Sequence, residues 1–196
     1  MLSDAATHLP VPRHTYKWRS AVENLRRACR EDSATDEFVL WNDDFVVTRP
    51  IDDIPTLHRG TLSSVISEVR GKVGHSSYLQ GMIESQHVLT SRFGISSPVS
   101  YALHTPFVYD RSKLLEVLET SDRVRDPAVQ ATDTRTMYGN LVGIGGRRVR
   151  DVKLSRFTPV VRSPLPFRST DPESWNSPST DFLRDMFPNP SLYERS

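Results

Sequence analysis

Two adjacent carboxylates, Asp43 and Asp44, follow the apolar run Phe38-Val39-Leu40-Trp41 and Asn42, and a second apolar run, Phe45-Val46-Val47, comes directly after them. Neighbouring carboxylates repel and raise each other's pKa unless a cation or hydrogen-bond donors compensate. As packing the pair is costly. As oxygen ligands for a hard divalent ion, Mg or Mn, it makes sense, and such an ion would neutralise a nucleotide diphosphate. The equal alternative is a solvated turn between two strands, since Asn and Asp are ordinary turn residues. In an open α/β sheet, ligands bind beyond the carboxyl ends of the strands, which is where a pair closing a buried strand would stand.

Other groups have two readings each. His104, between Leu103 and Thr105-Pro106, is either a core histidine bonded to backbone or a general base. Arg59, in His58-Arg59-Gly60, is either a surface arginine or a guanidinium placed for a diphosphate. The glycine-rich stretch 139–146 lacks the Gly-Lys-Ser/Thr ending of a Walker loop and has the wrong spacing for a dinucleotide fingerprint, so it reads as a tight turn. Tyr138 and Asn140 beside it would line an acceptor pocket if a ligand approached that backbone. The run Arg147-Arg148-Val149-Arg150-Asp151-Val152-Lys153 is a solvated basic face or a contact for a phosphate-bearing acceptor, DNA included.

These residues must be held by a chain of 196 residues with a net charge of +1, a size that suits one domain. The near-zero charge gives no global field for a polyanion. The lone Cys29 cannot form an intrachain disulfide and matches no paired-cysteine zinc spacing, which fits a reducing, cytoplasmic setting. No signal peptide and no bilayer-spanning segment are expected. Nor is there a His-Glu-x-x-His pair or a Gly-x-Ser-x-Gly elbow.

Residues 8–12 read as a short extended segment. Trp18, Val22, Leu25 and Cys29 recur at helical spacing and predict a helix over 16–30. The uniformly apolar run 38–41 reads as a buried parallel strand, and 45–47 as a second strand. Further helices are predicted over 62–69, 78–92 and 111–120, the last capped by Asp110. Turn and short strand are expected over 137–154. With 14 prolines against 9 glycines, the last third reads as loop interrupted by a helix near 179–186.

The block Phe38-Val39-Leu40-Trp41-Asn42-Asp43-Asp44-Phe45-Val46-Val47-Thr48-Arg49-Pro50 resembles the Asn-Asp-Asp-Phe motif of the Stealth-type sugar-phosphate transferases and related glycosyltransferase-like proteins of actinobacteria and their phages. A second block, Tyr101-Ala102-Leu103-His104-Thr105-Pro106-Phe107-Val108-Tyr109-Asp110 before Lys113-Leu114-Leu115, is similar to that family's later block. Arg135-Thr136-Met137-Tyr138-Gly139-Asn140 and the segment 187–194 resemble phage-type relatives, so the likeness runs from about residue 10 to the end.

The resemblance implies an α/β, Rossmann-like fold of the GT-A type, a mostly parallel sheet with flanking helices and a loop-rich C-terminal region. Within a single domain, residues 1–60 would form a partial nucleotide- and metal-binding sheet, 61–125 a helical region, and 126–196 the acceptor side. It further implies transfer of a sugar or sugar phosphate from a nucleotide-sugar donor to a glycan or a modified DNA base. Asp43 and Asp44 would hold Mn or Mg, Asp44 and His104 would be catalytic, and Asn42, Arg59, Tyr138 and Asn140 would bind substrate. Relatives begin with a strand-helix-strand unit that holds the nucleotide base, whereas this chain starts just before the helix containing Trp18. Weak donor binding and a partner chain completing the sheet are therefore expected. The rival is a noncatalytic assembly protein with the same fold.

Overall fold

The stripe Trp18, Val22, Leu25 and Cys29 forms helix α1 (Lys17–Arg30), with Leu25 and Cys29 buried and Arg27 and Arg30 in the last turn, where cations suit the helix dipole. The structure is a computed structural model and describes residues 9–10, 15–73, 75–155 and 164–189. Most of the extended segment expected over 8–12, and the end of the motif at 187–194, lie outside the described residues. Next come β1 (Glu37–Leu40), β2 (Phe45–Val47), β3 (Leu57–His58), α2 (Leu62–Val73) and α3 (Ser77–Ser91). Strand β4 (Phe107–Asp110) leads into α4 (Arg111–Val124) and α5 (Thr134–Val142), followed by β5 (Arg147–Arg148) and β6 (Phe167–Ser169). The short α6 (Pro172–Trp175), a 3₁₀ turn at Pro178–Thr180 and α7 (Asp181–Met186) follow.

A mostly parallel, Rossmann-like sheet is not what forms. Among the described residues helix accounts for 46%, and the six short strands pair two by two. Strands β1 and β4 are antiparallel, with Glu37 opposite Asp110 and Leu40 opposite Phe107. Strands β2 and β6 are also antiparallel, and only β3 with β5 is parallel. Each pair joins distant stretches of sequence, so the strands fasten a helical body rather than build a layer.

The run 38–41 shows why a buried parallel strand was the wrong expectation. Phe38 and Leu40 turn toward the core while Val39 and Trp41 are each 43% exposed. A two-stranded ribbon covered on one face alternates in burial even when its sequence does not alternate in polarity. Trp41 shelters edge-on against Phe45 and Phe167.

The main core gathers Leu25 and Cys29 of α1, Leu62, Val65 and Ile66 of α2, Leu79, Met82 and Leu89 of α3, and Leu114, Val117 and Leu118 of α4 around Tyr109 and Met137. Asp110 caps α4 as expected, its carboxylate accepting from the Lys113 amide at 3.0 Å. That bond, with the Ser112 hydroxyl, holds the Asp110 carboxyl at about 2. The stretch expected as turn is instead helix α5, capped by Asp133 and ended by Gly143 at φ 72°. Gly139 sits inside this helix because the Tyr101 ring lies against it: a Cβ there would fall 2.3 Å from Tyr101 Cε2. One of those glycines thus serves packing, which sequence periodicity does not reveal.

Candidate functional site

A cleft of about 1550 Å³ opens between α1, α2 and α3 on one side and the segments carrying His104 and 148–155 on the other. His104 emerges from an irregular stretch fixed on both flanks by one residue, Arg135 of α5. The Arg135 guanidinium donates to the Leu103 carbonyl at 2.5 Å and to the Thr105 carbonyl at 2.8 Å, and its cation lies 5.6 Å from the centre of the Phe107 ring. The imidazole is therefore held by its main chain before any side-chain contact.

The partner of the ring is Asp151. His104 Nδ1 lies 2.8 Å from Asp151 Oδ2, while Asp151 Oδ1 accepts from the main-chain amides of His104 at 3.0 Å and Val152 at 2.9 Å. Burial pushes the Asp151 carboxyl up, but the bond and charge of His104, the backbone amide and nearby Arg59 outweigh it and hold the group below its ordinary value. An ionised carboxylate accepting at Nδ1 makes that nitrogen the donor and leaves Nε2 with the lone pair. No described residue occupies Nε2.

Seven basic side chains and three carboxylates line the cleft among the described residues. Arg59 is nearly buried and pairs with Glu68 at 2.9 Å, and Glu68 also takes Lys72 at 2.7 Å. The Lys72 hydrogen bond, opposed by burial and helped by Arg59, lowers the Glu68 carboxyl. Arg148 and Arg150 reach the cleft without an ion pair among the described residues. Asp133, the α5 cap, also lines it; burial raises its carboxyl against the bonds it accepts from Thr136.

Of the residues expected to act, the structure brings Asn42, Arg59 and His104 into this one cleft. Tyr138 and Asn140 lie elsewhere. The Tyr138 hydroxyl accepts from the Asp110 amide at 2.9 Å in the core, and Asn140 uses its amide on both main-chain groups of Val99. Asp43 is exposed, and Asp44 accepts from the Ser169 hydroxyl at 2.5 Å, next to the cleft wall at Lys153 but outside its lining. The Phe45 amide donates to the Asn42 carbonyl, so the acidic pair does sit in a turn. No group of three His, Cys, Asp or Glu among the described residues is placed to hold a metal. Asp43 and Asp44 thus meet no third His, Cys, Asp or Glu among the described residues, and one Asp44 oxygen is already taken by the Ser169 hydroxyl.

Sequence reasoning missed the places of Asp151 and Arg135 in the site. Asp151 stood in plain sight as the single acid within a basic run, but nothing local tied it to a histidine 47 positions earlier. No protein-family model matches the chain, and no curated protein matches it. No helix among the described residues is long and apolar enough to cross a membrane.

Proposed function

We propose that the cleft transfers a sugar or sugar phosphate from a nucleotide-sugar donor to a hydroxyl acceptor, with His104 as general base. The observation that supports it is the His104–Asp151 pair, with Nε2 unengaged, in a large cleft where cations outnumber carboxylates. His104 Nε2 takes the acceptor hydroxyl proton as the hydroxyl oxygen forms its bond to the transferred group, and the nucleotide leaves with its phosphate oxygens facing the arginines. Asp151 orients the ring and stabilises the imidazolium. Arg59, Arg148 and Arg150 supply guanidinium groups suited to phosphate oxygens. A divalent ion carried on the donor would offset the charge of the leaving nucleotide's phosphates, and Asp43 and Asp44, at the turn beside the cleft wall, are the carboxylates proposed to reach it.

The test is turnover on a panel of uridine, guanosine and cytidine diphosphate sugars with manganese present. His104→Gln is expected to lower kcat by about 10² to 10⁴ with little change in KM, the range for removing a general base. Unchanged kcat in that variant sinks the role. The rival, a noncatalytic assembly protein, draws on β1, which among the described residues pairs on one side only and exposes Val39, with Trp41 exposed just beyond its end. Sedimentation showing a stable complex with a partner chain, and no turnover on any donor, would favour it.

A further inference from the structure

Part of the cleft wall is aromatic. Trp18 of α1 and Tyr78 of α3 stack with ring centres 5.4 Å apart and planes 26° from parallel, and both line the cleft. The indole N–H donates to the Ser77 hydroxyl at 3.2 Å, which fixes the plane of the ring. The Lys17 ammonium lies over the same indole, 4.8 Å from its centre. The Tyr78 hydroxyl makes no hydrogen bond with a described residue, yet it lies within electrostatic reach of Asp133, Arg59, Asp151 and Arg135. The stack therefore reaches from the exposed Lys17 side chain to a hydroxyl within electrostatic range of Asp133 and Asp151.

An oriented aromatic pair with an exposed lysine cation over it is suited to a flat ring. We infer that Trp18 and Tyr78 form the subsite for the base of a nucleotide, which displaces the Lys17 ammonium from the indole and continues the stack. Its phosphates then lie toward Lys17 and the Arg59–Glu68–Lys72 group. A pyranose lacks a delocalised face to extend a parallel stack, and it carries no charge for these cations. The inference deepens the reading of the cleft as a nucleotide-sugar site and assigns the base to α1 and α3, within this chain.

Calorimetry with uridine, cytidine, guanosine and adenosine diphosphates, inorganic pyrophosphate and a methyl glycoside tests it. At least one nucleoside diphosphate is expected to bind about tenfold tighter than pyrophosphate, the margin that base–aromatic stacking supplies. Trp18→Ala should remove that margin and leave pyrophosphate affinity unchanged, while Trp18→Phe should retain most of it. Should Trp18→Ala fail to fold, the unaltered protein decides: base protons of the bound nucleotide should show nuclear Overhauser contacts to the Trp18 indole. Equal affinity for pyrophosphate and every nucleoside diphosphate overturns the inference. So does equal loss of both ligands in Trp18→Ala, absence of the indole contacts, or Trp18-dependent binding of the methyl glycoside alone. Trp18-dependent nucleotide binding without transfer from any donor would leave the subsite standing and remove the transferase reading. Transfer with a donor KM indifferent to Trp18→Ala would do the reverse.

Discussion

Replacing Asp151 by Asn changes one atom and should reverse the proton arrangement of His104. In the native site Oδ1 accepts two main-chain amides and Oδ2 accepts at His104 Nδ1, 2.8 Å away. An Asn side chain keeps the carbonyl oxygen for the amides and presents an NH₂ group where Oδ2 was. That group donates only, so Nδ1 must become the acceptor and the ring proton moves to Nε2. Nε2 then has no lone pair with which to take a proton. The loss expected in kcat is about 10² to 10⁴, or about 2.7–5.5 kcal/mol of barrier. Stability should change far less. A charge-assisted bond worth about 1.5–3 kcal/mol is exchanged for a neutral one worth about 0.5–1.5, a difference of about 1 kcal/mol. The native carboxyl is held below its ordinary value of 3.8, so its stabilisation is complete above that pH and is lost as pH falls through the lowered value; the variant should lack this dependence. Ring ¹⁵N shifts, assigned with His104→Gln, report the tautomer directly and require no substrate. An unprotonated Nε2 in both proteins, or turnover within threefold of the native rate, would refute the reasoning.

Gly139→Ala places a Cβ 2.3 Å from the buried Tyr101 ring, so urea unfolding should show a loss of about 1–3 kcal/mol, the usual effect of overpacking a core. Asp110→Ala removes the α4 cap and should lower stability by about 1 kcal/mol; the native protein's advantage over it should be full above pH 3.8 and fade as pH falls toward about 2. Asp43→Asn with Asp44→Asn should abolish manganese binding seen by water-proton relaxation in the presence of a nucleoside diphosphate, with little effect in its absence. Unchanged relaxation in the double variant would remove the acidic pair from the site.

Local signals were strong where local forces decide. The α1 stripe, the Asp110 cap and the helices over 62–73, 77–91 and 111–124 follow from spacing and capping chemistry that act within a few residues. The chemical identity of His104 and Arg59 was legible for the same reason. Strand direction was not, because pairing is a contact between distant segments: nothing in Phe38-Val39-Leu40-Trp41 says that its neighbour is the antiparallel strand 107–110. Helix α5 was hidden by glycines that propensity assigns to a turn, yet packing against Tyr101 at Gly139 and capping at Asp133 and Gly143 make helical. The site followed the same division. Sequence supplied an imidazole and several guanidiniums, while tertiary structure alone brought Asp151 across 47 residues to Nδ1, set Arg135 against both carbonyls flanking His104, and stacked Trp18 on Tyr78. Charge and ring chemistry are written residue by residue, but an orientation that leaves one nitrogen with its lone pair exists only after the chain has folded around it.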